Sequence, residues 1–159
     1  MVTEIYTLGH SIRSLEELIM LLKKYGIETL IDVRRFPVSK KYPHFNKDFL
    51  IDKLSKLSIN YIWLEKLGGF RKGRYKNYLK SEDFKKGIAE VLDIAKKRRV
   101  AIICAEAFWF KCHRRYISNE LVNLGCKVIH IIDGERVYEH KINRLVRIFK
   151  NILFNIGLG

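Results

Sequence analysis

The stretch that decides the fold is Val100–Asn119, VAIICAEAFWFKCHRRYISN. It opens on a short apolar run, Val100, Ala101, Ile102, Ile103 and Cys104, which reads as a buried strand. The chain turns polar at Glu106, crosses the aromatic loop Phe108-Trp109-Phe110, and enters a helix with Cys112, His113 and Arg114 at its start. The open end of a helix carries unpaired N–H groups and about half a positive charge, so it favours anions and thiolates. A cysteine placed there has a lowered pKa and gains nucleophilicity. Taken singly, Cys112 would be a small buried hydrophobe, and His113 and Arg114 surface residues. Together, just past a strand end where ligands of open α/β sheets sit, they mark a functional site.

The same alternation of strand and helix runs outward from this stretch. Towards the N-terminus, Glu4–Leu8 is a strand ending in Gly9-His10-Ser11. Ser14 with Glu17 three residues later makes a capping box for a helix through Lys24, with Leu15, Leu18, Ile19 and Leu22 at helical spacing and Gly26 closing it. Thr29–Val33 is a second strand. Asn46 caps a helix to about Leu57, with Phe49, Leu50 and Leu54 expected to face inward. Ile59–Leu64 is a third strand, and the Gly-rich, basic, aromatic segment Leu67–Lys80 reads as a loop. Ser81 caps a helix through Lys97, with Phe84, Ile88, Val91, Leu92 and Ala95 on one face.

Towards the C-terminus, the Cys-His-Arg helix ends near Gly125, and Lys127–Ile132 is a fifth strand stopping at Asp133-Gly134. The pattern predicts one α/β domain over residues 1–159. It has three layers: a mostly parallel sheet of about five strands with helices on both faces. A C-terminal amphipathic helix is expected over about 137–156. Its stripe of Ile142, Leu145, Val146, Phe149, Ile152 and Leu153 opposes Lys141, Arg144, Arg147 and Lys150, and should face the core rather than a membrane.

Bulk properties bound the function. With 159 residues, 48% of them hydrophobic, the chain can bury a real core and is not a disordered segment. No apolar run approaches the ~20 residues of a membrane span. Met1 begins no signal-peptide pattern, so a cytosolic protein without a membrane partner is expected. Three cysteines at irregular spacing form no disulfide framework and should be unbridged. The net charge of +14 predicts attraction to polyanions or phosphorylated ligands. The lack of Gln and the abundance of Lys, Arg, Ile and Leu are thermophile-like, so lineage can account for part of that charge.

In a parallel sheet all strand carboxyl ends meet one edge. That edge receives His10 and Ser11 after the first strand, Asp32 and Arg34 after the second, and Cys104 and Glu106 after the fourth. Cys112, His113 and Arg114 start the next helix, with His130 and Asp133 at the fifth strand. These residues are expected to open onto one crevice. The blocks LGHS, IDVRRFPVSKKYPHFN, LGGFR and CAEAFWFKCHRRYISNELVNLGCKVIHI resemble, in order from Thr7 to Ile131, those of the domain of unknown function 488 family. The resemblance implies an α/β domain with a gathered site and leaves the reaction open. By motif it carries site roles to His10, Ser11, Asp32, Arg34, Pro37, Ser39, Gly68, Gly69, Arg71, Cys104, Glu106, Cys112, His113 and Arg114. Phe70 separates the glycine pair from Arg71 where the family often has Arg directly, and Phe108-Trp109-Phe110 is more aromatic than usual.

Two enzyme readings compete. In one, Cys112 is a nucleophile activated by the helix end and a nearby His, while Arg34 or Arg114 grips an anionic group. Neither Cys104 nor Cys112 has the five-residue Cys-to-Arg spacing of phosphatase and rhodanese anion loops. In the other, His10 or His113 is a general base partnered by Asp32 or Glu106. Ser11, Ser39, Gly68, Gly69 and Arg71 are assigned to ligand binding in either case. A zinc site would lack any C-x₂-C pair and would need adjacent Cys112 and His113 to share one tetrahedral ion, so neither metal nor other cofactor is expected. A third reading, without catalysis, makes the chain a nucleic-acid-binding module. Its Arg71–Tyr78 segment interleaves cations with aromatics as single-strand binders do. The preferred reading is a crevice for a small anionic ligand, phosphorylated or nucleotide-like.

Overall fold

A computed structural model describes residues 1–142. Its strands are β1 (Glu4–Gly9), β2 (Thr29–Asp32), β3 (Asn60–Trp63), β4 (Val100–Cys104), β5 (Lys127–Ile131) and β6 (Val137–Glu139), in the spatial order β3-β2-β4-β1-β5-β6. The first five are parallel, and β6 runs antiparallel beside β5. The helices are α1 (Leu15–Lys24), α2 (Lys47–Ser55), the short α3 (Tyr75–Tyr78), α4 (Glu82–Ala95) and α5 (Arg114–Asn123).

Local chemistry starts the long helices where the sequence places them. Ser14 Oγ accepts from the Glu17 N–H at 3.0 Å and Ser81 Oγ from the Phe84 N–H at 3.1 Å. Each cap stabilises its helix by ~1 kcal/mol. Asn46 behaves differently: its Oδ1 accepts from the Ser39 N–H at 2.6 Å and makes no cap bond to α2. On α2 only Leu50 and Leu54 are buried. Phe49 faces out, 39% exposed, with the Lys53 ammonium 5.4 Å from its ring.

Side chains alternate across a strand, and this parity divides the core in two. Ile5, Ile31, Val100, Ile102, Cys104 and Val128 face α4 and α5. Tyr6, Leu8, Leu30, Ala101, Ile103 and Ile129 face α1 and α2. The chain leaves β1 through α1 on one face and leaves the adjacent β4 through α5 on the other. The carboxyl ends of β1 and β4 are therefore a topological switch point, where open α/β sheets hold ligands.

Two expectations change. Residues Val137–Glu139 form a strand rather than the start of a helix. The Asp133 carboxylate accepts from the Glu135 and Arg136 N–H groups, reversing the chain and laying Val137 and Tyr138 against Ile131 and His130. That pairing satisfies the outer edge of β5 and makes six strands. The remainder of the expected C-terminal helix, from residue 143, lies outside the described residues. Within Leu67–Lys80, α3 forms because the Tyr75 and Tyr78 hydroxyls donate to the carbonyls of Leu67 and Lys66 at 2.8 and 2.7 Å. Among the described residues no helix is long and apolar enough to cross a membrane.

Candidate functional site at the switch point

Cys104, the last residue of β4, shares the parity of Val100 and Ile102 and so points to the α5 side. Beyond it, Trp109 stacks on the His130 ring of β5 (4.5 Å between centroids, 3° between planes), which anchors the aromatic loop. The chain then returns to place Cys112 and His113 ahead of α5. Cys112 is extended (φ −112°, ψ 157°) and His113 helical (φ −61°, ψ −15°), so the backbone bends between them and aims both side chains at one point. The His113 Nδ1 lies 3.5 Å from Cys112 Sγ and 3.9 Å from Cys104 Sγ. All three donor atoms fall within 4.8 Å of one another. Adjacent Cys112 and His113, which the sequence makes awkward partners for one tetrahedral ion, thus point to one place.

The tautomer of His113 follows from its other nitrogen. Nε2 lies 2.8 Å from the Val33 carbonyl, which only accepts, so Nε2 bears a proton and the ring turns Nδ1 to the sulfurs. The Arg114 N–H donates to Cys112 Sγ at 3.5 Å. Contact with Cys104 and with His113, helped by the Arg114 charge, holds the Cys112 thiol far below the usual range despite burial. Cys104 moves the other way, raised by Cys112 and by burial. The two shifts oppose each other, so ionising one sulfur disfavours ionising the other. A Cβ on Gly69 would lie 2.9 Å from His113 Nδ1, so glycine is needed there to admit the ring. All three cysteines are unbridged.

On the α1 side stands His10, directly after β1. Its ring stacks on Phe45 at 4.3 Å between centroids, and Nδ1 donates to the Ser11 carbonyl at 3.1 Å. Burial lowers its pKa to about 4, so the ring is neutral near pH 7. Ser11, Ser39, Lys41 and Tyr42 complete a pocket of about 450 Å³. Ser39 Oγ accepts from the Tyr42 N–H at 3.0 Å. Gly9 lets the β4–α5 loop cross here, since a Cβ would sit 1.9 Å from the Glu106 carbonyl oxygen.

Arg34 joins the two sides. Its Nε bonds both oxygens of Asp32 at 2.9 and 3.0 Å, and its Nη2 bonds Asp32 at 2.5 Å and the Phe45 carbonyl at 2.7 Å. Burial opposes its charge, but the pairing with Asp32 outweighs that and raises its pKa. Asp32 is fully buried and also accepts from the Tyr61 hydroxyl at 2.5 Å and the Arg34 N–H at 3.0 Å. Its oxygens are committed inward, so it orients Arg34 rather than facing the crevice. Only Nη1 is left, 3.5 Å from His10 Nε2. Arg34, Phe36 and Ala105 line both this pocket and a second of about 500 Å³ whose far end is Cys104, Cys112 and His113. The single crevice expected from the sequence is thus two pockets meeting at Arg34.

The remaining candidates divide. Glu106 is exposed and lines the thiol pocket, its Oε1 accepting from the Phe108 N–H at 3.1 Å. Arg114 is 1% exposed and lines neither pocket. Its guanidinium donates to Thr7 Oγ1 at 3.1 Å and to the Glu106 and Ala107 carbonyls, clamping the loop from below. Arg71 donates to the Gly68 and Glu65 carbonyls, pairs with the Glu65 carboxylate at 3.0 Å and lies over Tyr78, which fastens the glycine segment. Residues that the sequence did not single out are Phe36, Phe70 and Tyr75 at the thiol pocket. Nor did it reveal a buried relay behind that pocket: Thr7 Oγ1 to His130 (2.6 Å), His130 to His140 (2.9 Å), His140 to Asn119 (2.7 Å). The Gly-Gly-Phe-Arg block and the aromatic Arg71–Tyr78 segment are the sequence signals nearest Phe70 and Tyr75.

A family model described as "Domain of unknown function DUF488" matches residues 14–121, more than half of the chain. The chain belongs to the DUF488 family. The matched span contains Asp32, Arg34, Ser39, Gly68, Gly69, Arg71, Cys104, Glu106, Cys112, His113 and Arg114, and begins after His10 and Ser11. A comparison with curated proteins found no match. In this DUF488 protein the Cys/His cluster and the Asp32–Arg34 pair thus fall in the family region, on either side of one sheet edge.

Proposed function

We propose that this DUF488 protein binds a small anionic ligand, of phosphorylated or nucleotide-like chemistry, across the strand ends, with Arg34 on its charge. One observation carries the reading. A buried guanidinium is locked by Asp32 and Phe45 so that Nη1 alone stands where the two pockets meet. A preformed, desolvated guanidinium binds an oxyanion more strongly than a mobile surface lysine, because charge-assisted bonds strengthen and no side-chain freedom is lost on binding. Two aromatic rings at the rim, Phe36 (68% exposed) and Phe70 (90% exposed), supply flat apolar surfaces for a base or similar ring. Phe70 sits at φ +51°, a left-handed conformation that costs free energy in a non-glycine residue. Any chemistry done on the ligand falls to the Cys104–Cys112–His113 cluster at the end of the larger pocket, which makes hydrolysis or group transfer the reactions to assay.

The basic segment around α3 supports the competing nucleic-acid reading less than its sequence did. Tyr75 and Tyr78 are packed inward with bonded hydroxyls, leaving charge alone on Lys72, Arg74 and Lys76. Calorimetric titration with pyrophosphate and with nucleoside diphosphates tests the choice. Arg34→Lys, which keeps the charge but loses the fork, should weaken binding by about ten-fold or more. Arg74→Ala with Lys76→Ala should change it by less than about two-fold. Equal affinity in the wild type and Arg34→Lys would sink the anion reading. Strong single-strand binding that falls steeply with salt and is lost in the loop variant would put the nucleic-acid module in its place.

A further inference from the structure

We infer that Cys104, Cys112 and His113 form a site for a thiophilic divalent cation, zinc by donor chemistry, with one coordination position left to the crevice. Zinc sits about 2.3 Å from thiolate and about 2.0–2.1 Å from imidazole, so tetrahedral angles separate a bound sulfur and nitrogen by about 3.6 Å. The two such separations here are 3.5 and 3.9 Å. Both nitrogen–sulfur separations thus suit one ion, and the two sulfurs, within 4.8 Å of each other, are close enough to share it. Hydrogen bonding among the donors alone would not require that both sulfurs converge on the same nitrogen.

A second observation is independent of that spacing. The Nε2–H to Val33 carbonyl bond is the outer contact that metal-bound imidazoles make, and it aims Nδ1 inward. Gly69 preserves the room this orientation needs. Charge agrees as well. Two thiolates with a neutral imidazole carry a charge of about −2, which a dication cancels inside a buried cluster. Sulfur and imidazole donors select zinc over magnesium or calcium, which take oxygen ligands. Three protein ligands lining a 500 Å³ pocket resemble an open zinc site rather than a closed structural one. The site does not depend on the Arg34 reading. Should both hold, an anion on Arg34 and the fourth position of the ion would share that pocket.

The test uses the full chain purified with a reductant and no chelator. Metal analysis should find about one zinc per chain, and cobalt added to the stripped protein should give a thiolate-to-metal charge-transfer band with intense tetrahedral d–d bands. Zinc should displace the cobalt. Cys104→Ser, Cys112→Ser and His113→Ala should each weaken cobalt binding by about a hundred-fold or more, beyond the range of outer-contact losses. Cys126→Ser and Arg34→Lys should leave it unchanged, the latter separating this site from the anion reading. If the cysteine variants fail to fold, the wild-type cobalt spectrum still decides. Weak octahedral bands without charge transfer would overturn the inference. So would metal retained in folded Cys104→Ser and Cys112→Ser, or reduced protein that holds no metal and, on air exposure, becomes two hydrogens lighter through a Cys104–Cys112 bond.

Discussion

The two pockets at the strand ends share Arg34, Phe36 and Ala105 and differ in everything else. The α5 side ends in two sulfurs and an imidazole nitrogen, a set suited to soft cations or to nucleophilic work. The α1 side ends in hydroxyls and a neutral imidazole flat against Phe45, a set suited to hydrogen bonding. The contrast comes from strand parity. Cys104 follows Ile102 to one face, while Asp32 follows Leu30 to the other. One sheet edge thus presents two chemistries, and a single buried ion pair spans them.

The largest expected effect tests that span. Asp32→Ala strands the Arg34 guanidinium, and removing one partner of a buried pair costs about 3–5 kcal/mol. Urea unfolding should show that loss, with anion binding abolished. A loss below about 1 kcal/mol would mean that the pockets are organised independently of the pair.

A smaller effect separates sealed imidazoles from the exposed edge. Burial lowers His10 and His140 to about 4, and His130 to about 3 with help from its neighbour His140 and from Arg114. The unfolded chain takes up these protons near pH 6.5, the folded chain only near 3–4. The contribution is therefore complete above pH 6.5 and is lost as pH falls towards 4. Stability should drop by at least about 2 kcal/mol over that window, and less in a His140→Gln variant. The His10 ring resonances should titrate near pH 4; titration near 6.5 would show that the α1-side pocket is wet and open.

The smallest effect is confined to one pocket. Gly69→Ala should cost about 1–2 kcal/mol as the new methyl displaces the His113 ring. It should alter the alkylation rate of Cys112 while leaving the His10 resonances in place. Movement of both would show that the two sides are mechanically coupled through Arg34.

Much of this was legible along the chain. Ser14 and Ser81 announce their helices because a hydroxyl ahead of an apolar stripe satisfies an orphan N–H whatever the fold around it. The β4 run Val100–Cys104 is apolar throughout and β2 is buried at every position because both their faces are covered, and such runs imply a parallel sheet. The strand-end residues gather at one edge for the same reason. Three things were not legible. Val137–Glu139 pairs with β5, since the Asp133 turn brings it back onto an open strand edge. Arg114 looks like a ligand residue in the sequence but turns under the loop, where the unpaired carbonyls of Glu106 and Ala107 need a donor. Phe70 carries no local mark of its left-handed backbone.

The sequence by itself determined the alternation of the five parallel strands with their long helices, the caps at Ser14 and Ser81, the free cysteines and the edge at which the ionisable residues would meet. These follow from periodicity and local hydrogen bonding, which act over a few residues. Only the tertiary structure decided which side of that edge each residue serves, because that depends on strand order and on where α1 and α5 cross the sheet. It also decided that neighbours as close as Cys112 and His113 converge with Cys104. Their meeting depends on one bend at the start of α5 and on a carbonyl just past β2, that of Val33, which turns the ring.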